Sequence, residues 1–362
     1  MRRLRSTLKC AVGVLLAVLT LEFCARLDDC VSYGASMWGT YDPEIIYVRD
    51  NVGRKGKPRA RYKKWQLNSL GFRGPELEPD QVRIICMGSS ETFGLYETPG
   101  EEYPRQLERE LNAWAGRNLF QVVNVAYPGE TVRTQILRAP QTVEEVRPQI
   151  ALIYPSLAQY VWLPWLKLDP AAPSSRPHFE WRIASNLREL AKRLLPEPLQ
   201  NYLREREIRH EVAVHGMVMD RIPEENIILF HHDLEKLVKT LRDAGAEPVL
   251  VTHATRFGPV LSVSSTNERH VLVSWRKFFP MLREDGFLDM EWRMNEAIRQ
   301  LAAEQHLTLI DAAREISPGK QNFADFSHFT TVGAHLMASH LAGGLEPLLR
   351  RYATASTATD SK

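Results

Sequence analysis

The chain is poor in the features that would settle its class at once. Its four cysteines, Cys10, Cys24, Cys30 and Cys86, form no evident disulfide framework and read as free or membrane-proximal thiols. No charge of one sign dominates: 46 basic against 44 acidic residues leave a formal +2, which disfavours a polyanion-binding role and nucleic acid as a partner. No internal repeat appears. The stretch "ICMGSSETFG" (85 to 94) ends an apolar run at Gly88, yet it fits neither of two familiar glycine motifs. A phosphate loop needs G-x-x-x-x-G-K-[ST]; here Gly94 falls one residue late and Leu95 stands where the lysine belongs. A hydrolase elbow needs G-x-S-x-G, and Thr92 occupies the second glycine position.

What is present suffices for a folded protein: 362 residues with 44% hydrophobic content can bury a core as one large domain or two ordinary ones. One long hydrophobic run exists. Arg2, Arg3, Arg5 and Lys9 precede "CAVGVLLAVLTL" (10 to 21), the pattern of an export signal. Twelve apolar residues suit a signal-peptide core, but residues 8 to 27 make a 20-residue helix if Lys9 and Glu22 lie near its ends. Phe23 spoils a small-x-small cleavage site and "LEFC" is no lipoprotein box, so residues 1–27 read as an uncleaved signal anchor, with a cleaved signal as the alternative. The positive-inside rule then places the rest in the periplasm or exterior, anchored to the inner membrane or secreted.

Residues 28–81 are turn-rich and carry the basic stretch "GRKGKPRARYKK" (53 to 64). They read as a juxtamembrane linker and irregular wrap, the basic stretch as a solvated loop, with contact to anionic lipid or polysaccharide as the alternative. The domain proper, 82–350, alternates buried strands and amphipathic helices. Strands are expected at "VRIICMG", "FQVVNVA", "QIALIYPS", "EPVLVTHAT" and "LTLIDAA", with helices between them over 101–114, 131–146 (disturbed at Pro140), 225–245 and 290–306. That order predicts an α/β fold with a mostly parallel five-stranded sheet and right-handed crossovers. Two stretches break it: 161–223, a helical insertion expected over one sheet edge and a candidate lid, and 256–287, irregular. The tail 351–362 reads as disordered.

Functional groups in such sheets collect beyond the carboxyl ends of the strands, where Ser89 and Ser90 lie. A serine there is ordinarily a helix cap; as a nucleophile it needs a base, and the base an orienting carboxylate. "DFSH" offers both, since Asp325 and His328 stand three apart just before a helix. His231, His232 and Asp233 read as helix surface rather than metal ligands, and His253, at a strand end, as structural with a place lining the site as the alternative.

The ordered set resembles the SGNH, or GDSL-like, hydrolases of the bacterial exported type. "MGSSETFG" looks like the first block, with Ser90 at the nucleophile position and Ser89 replacing the usual aspartate. "NVAYPGETVRTQ" resembles the second, with Gly129 at the oxyanion glycine, and "DFSHFTTVGAHLMA" the last, placing Asp325 and His328 in a triad. "NSLGFRGPE" (68 to 76) looks like a lead-in found in such members. The resemblance spans roughly 68 to 345. It implies a flavodoxin-like three-layer α/β/α sandwich and a serine esterase working through an acyl-enzyme, with no metal or organic cofactor. One block departs: where the family has G-x-N-D after the third strand, "YPSLAQY" puts Ala158 at the donor position, so Gln159 or Ser156 must replace the asparagine or the hole rests on the Ser90 and Gly129 amides. The implied partner is an ester substrate. Trp162, Trp165 and Trp181 suit an acylated polysaccharide, or else form a small core beneath the insertion. An O-acyltransferase with the same triad and a non-catalytic polysaccharide-binding or assembly protein are the alternatives.

Overall fold

The structure is a computed structural model, described for residues 2–33, 35–39, 43–161, 181–215, 218–258 and 268–357. It begins with one long helix, α1 (Arg2–Tyr33), which outruns the expected 8 to 27. Lys9–Ser32 is long and apolar enough to cross a membrane. Its polar interruptions are satisfied: Glu22 accepts from Arg26 Nε at 2.6 Å, and both side chains are buried.

The wrap is more ordered than its sequence suggests. β1 (Tyr47–Arg49) pairs with β2 (Arg54–Gly56), and β3 (Arg61–Tyr62) with β4 (Trp65–Gln66), both antiparallel. A Cβ on Gly56 would stand 1.9 Å from the carbonyl oxygen of Gly71, so two backbone segments touch where only glycine fits.

The domain follows as β5 (Val82–Met87), α2 (Ser90–Phe93), α3 (Tyr103–Ala115), β6 (Phe120–Asn124), α4 (Val132–Val146) and β7 (Ile150–Ile153). Then come α5 (Arg182–Leu194), α6 (Glu197–His215), α7 (Glu224–Asp243), β8 (Glu247–Val251), α8 (Arg269–Arg276), α9 (Glu284–Glu304), β9 (Thr308–Ile310), α10 (Ala312–Glu315) and α11 (Thr331–Thr357). The five strands β5 to β9 form one sheet in the order β6-β5-β7-β8-β9, every pairing parallel. This is the flavodoxin-like order. Alternation along β5 divides the core: Ile85 and Met87 pack beside Val143, Leu237 and Ile298 from α4, α7 and α9, while Ile84 and Cys86 pack beside Leu107 and Leu341 from α3 and α11. Three layers result. Helix α4 runs on through the exposed Pro140, while Ile136, Ala139 and Val143 stay buried.

Three expectations are corrected. The insertion packs mainly on other helices, α5 against α1 and α6 against α8, rather than over a sheet edge. The stretch 256–287 is not irregular throughout, since it holds α8 and the start of α9, which begins at Glu284 rather than 290. The tail is helical to Thr357 instead of disordered from 351; residues 358–362, like Trp162 and Trp165, lie outside the described residues.

Gly88 closes β5 under a severe steric limit. A Cβ there would meet Thr92 Oγ1 at 1.9 Å and the Tyr154 carbonyl at 2.9 Å. Gly88→Ala is expected to lower unfolding stability by about 1–3 kcal/mol, the usual cost of overpacking, as read from denaturant midpoints in detergent; an unchanged midpoint would refute the contact.

Candidate active site

The sheet order sets the site's plan. β5 lies between β6 and β7, so the loop leaving β5 is flanked by the turn after β6, holding Gly129, and the turn after β7, holding Gln159. Two crossovers leave β5's neighbours in opposite directions, which opens a crevice at the strand's carboxyl end. α2 begins there with Ser90 and lasts one turn before Gly94 ends it in a left-handed conformation (φ 81°). The buried Arg73, from the lead-in stretch, fixes that end. Its guanidinium donates to the carbonyls of Phe93 (2.5 Å), Gly94 and Glu97 (3.0 Å) and stands 3.5 Å from Glu102. Asn124 Nδ2 adds a bond to the Thr92 carbonyl at 2.8 Å.

Ser90, Asp325 and His328 come together. His328 Nε2 lies 2.8 Å from Ser90 Oγ, and its Nδ1 lies 2.9 Å from each Asp325 oxygen. The D-x-x-H turn shapes itself, because Asp325 Oδ1 also accepts the backbone N–H groups of Ser327 (3.2 Å) and His328 (3.0 Å). Phe326 and Phe329, both fully buried, hold the turn down on either side of the histidine. Tyr96 donates to Asp325 Oδ2 at 3.1 Å and sets its ring edge-on to His328 at 5.3 Å; the Trp275 ring of α8 does the same at 6.1 Å. Burial pushes Asp325 up, but the His328 hydrogen bond and charge outweigh it and hold the carboxyl below its usual range. Burial lowers His328, while Asp325, Glu91 and Glu97 raise it further, for a net rise.

The oxyanion candidates are placed less completely. Gly129 has the left-handed backbone (φ 80°) of a tight turn, and its N–H donates to Ser89 Oγ at 3.1 Å. The Ser89 hydroxyl must therefore turn aside before that amide can serve another oxygen. Gln159 lies in the 3-10 turn Ala158–Val161, half-buried, with its Oε1 taking no hydrogen bond among the described residues. Ser156 is buried and Ala158 carries no donor. Arg54, from the basic stretch, donates to the Pro128 carbonyl at 3.5 Å and pairs with Glu44 at 2.5 Å, so this end of the stretch braces the Gly129 turn.

Sequence reasoning missed a second acid–base group under the nucleophile. Glu91, buried, accepts from Ser327 Oγ (2.9 Å) and lies 3.3 Å from Ser90 Oγ, whose single proton goes to Glu91 when His328 is protonated and to His328 Nε2 when it is neutral. His253 stands beyond it, Nε2 3.8 Å from Glu91 Oε1 and Nδ1 2.9 Å from Glu291 Oε2. Asn295 clasps His253 at both backbone atoms, accepting its N–H (2.7 Å) and donating to its carbonyl (2.9 Å). Burial alone would lower His253, but Glu291 and Glu91 outweigh it and push the imidazole up to about 10. Glu91 is opposed by burial too, yet His253 and His328 hold it well below the usual carboxylate range. The other flagged histidines are surface groups: His231 and His232 face Glu304 and Glu235, and Asp233 is used by Arg133 (2.8 Å) and Tyr160 (3.0 Å). Among the described residues no three His, Cys, Asp or Glu side chains gather as metal ligands would.

No protein-family profile matches the chain, and no curated protein matches its sequence. Solved structures similar to it include a lipase/acylhydrolase from Enterococcus faecalis, 15% identical, covering 73% of this chain and 95% of that one at a TM-score of 0.43. A catalytic mutant of Axe2, an acetylxylan esterase from Geobacillus stearothermophilus, is 15% identical, with 73% and 94% covered and a TM-score of 0.43. TesA is 12% identical, with 74% and 99% covered and a TM-score of 0.41. Likenesses this distant establish neither family nor activity.

The charge on Glu91 raises His328, so its removal must lower the histidine's pKa. Because His328 accepts a proton only when neutral, Glu91→Gln is expected to move the acid limb of Ser90 labelling by a fluorophosphonate to lower pH, with Glu91→Asp closer to wild type. Rates measured across pH would contradict this if the limb stayed put or rose.

Proposed function

We propose that the chain is a serine ester hydrolase. The observation that carries this reading is the continuous hydrogen-bonded run from Ser90 Oγ through His328 to Asp325, with heavy-atom distances of 2.8 and 2.9 Å. His328 Nε2 takes the Ser90 proton as Oγ attacks the ester carbonyl. The same nitrogen then returns a proton to the departing alcohol. Asp325 holds the Nδ1 proton in place, which fixes the tautomer and steadies the imidazolium. Water resolves the acyl-enzyme by the reverse relay. The developing oxyanion is met by the Ser90 N–H at the start of α2, by the Gly129 N–H once the Ser89 hydroxyl swings away, and by the Gln159 amide in place of the asparagine lost at Ala158. A carbonyl carbon bound above the half-buried Ser90 faces Tyr96 and Trp275, which confine the histidine.

The substrate class we propose is an acyl ester on a carbohydrate or small molecule. The location we propose is extracytoplasmic, with α1 as an inner-membrane anchor; the apolar span at Lys9–Ser32 supports it.

Fluorophosphonate labelling and p-nitrophenyl acetate hydrolysis test the assignment. Ser90→Ala is expected to abolish labelling and lower kcat by about 10⁴-fold or more; labelling that survived the substitution would end the triad reading. Gln159→Ala is expected to lower kcat about 10²- to 10³-fold with little change in KM, as loss of one oxyanion donor does. A change confined to KM would remove Gln159 from that role.

A further inference from the structure

The helical hairpin α5–α6 leaves an apolar face uncovered close to the anchor. Leu187, Leu190 and Leu194 are spaced i, i+3, i+7, which sets them along one side of α5, and they are 58%, 50% and 73% exposed. Leu199, Tyr202 and Leu203 of α6 continue the exposed apolar surface. A soluble helix turns such a face inward; this one has no protein cover among the described residues.

The position of α5 says what covers it. Its first two amides, on Arg182 and Ile183, donate to the Glu22 carboxylate of α1 at 3.1 and 3.0 Å. The Arg182 guanidinium is 2% exposed; it pairs with Asp29 at 3.1 Å and donates to the carbonyls of Arg26 (3.3 Å) and Ser36 (2.9 Å). These bonds pin the start of α5 on the second half of α1, beside Glu22, Arg26 and Asp29, the polar residues that follow the apolar run 10–21. A helix of 13 residues starting there is about 20 Å long. Apart from the buried Arg182, its sequence carries three basic residues against one acidic, the composition that anionic headgroups attract.

We infer that α5, with the first turns of α6, is an interfacial helix whose leucine face lies in the outer leaflet of an anionic membrane. It holds the catalytic domain against the lipid surface as a contact separate from α1. The inference rests on α1 being membrane-embedded, and the experiment separates the two.

Full-length protein with its four native cysteines replaced by alanine is reconstituted in phosphatidylcholine/phosphatidylglycerol vesicles. Single NBD labels are placed through Leu190→Cys, Leu194→Cys, Leu16→Cys in α1 and Lys236→Cys on the exposed side of α7. Spin-labelled lipid is expected to quench the labels at 190 and 194 several-fold more than aqueous iodide does, as at 16, while the label at 236 shows the reverse. Iodide quenching at 190 and 194 with lipid quenching at 16 would leave the anchor intact and overturn the interfacial helix. Labels at 190 and 194 reached by neither quencher would point to a protein cover, such as a second copy, and overturn it as well. Absence of lipid quenching at 16 would overturn the embedding of α1 and this proposal together.

Discussion

A carboxylate buried one residue after the nucleophile is the constraint around which the site is organised. Glu91 is buried, and an uncompensated buried charge costs several kcal/mol. Its neutralisation recruits four separate parts of the chain: Ser90 on the β5 turn, Ser327 on the D-x-x-H turn, His253 at the end of β8, and Glu291 and Asn295 on α9. The raised pKa of His253 follows from that duty. Its charged form contributes stability that is fully present below the ordinary histidine pKa, declines as pH rises above it, and is gone once pH passes about 10. Beneath Ser90 and His328 there is therefore an imidazolium held between two buried carboxylates, Glu291 and Glu91. The Glu91 carboxylate lies against Ser90, and its field favours the imidazolium of His328.

The second determinant is the position of β5 in the sheet. Because β6 and β7 add on opposite sides of it, the loops carrying Ser90, Gly129 and Gln159 stand side by side without any of them being long. Short loops leave the four-residue α2 with few bonds of its own. Arg73 and Asn124 make up the deficit by taking up the carbonyls at its end. That explains why the lead-in stretch, far from the chemistry in function, is buried within it in space.

The meeting of Ser90, Asp325 and His328 was legible in the sequence because each lies in a short motif at the end of a regular element, where local pattern fixes position. So was the five-stranded parallel sheet. Glu91 was not legible: its partner Ser327 lies 236 residues away, and a glutamate after a serine at a helix start looks like ordinary solvent-facing charge. Helix α1 reads as shorter than it is because Glu22, Arg26 and Asp29 look like a polar end, whereas α5 supplies their partners. Helix α8 escapes notice since its apolar residues Val271, Leu272 and Val273 are consecutive and mask a helical period. The strands of the wrap, two or three residues each, are too short to show alternation.

The oxyanion side turns on an exchange of partners at Gly129. In the resting arrangement the amide is spent on the Ser89 hydroxyl, a neutral bond of net value about 0.5–1.5 kcal/mol. A developing oxyanion makes a charge-assisted bond to the same amide, worth about 1.5–3 kcal/mol. The exchange is thus favourable only once negative charge has formed, and a ground-state carbonyl does not drive it. Release of the amide needs only rotation about one bond of the Ser89 side chain. Under the proposed ester-hydrolase reading, such an exchange would withhold the donor from substrate and grant it to the transition state, which is the differential binding that catalysis requires.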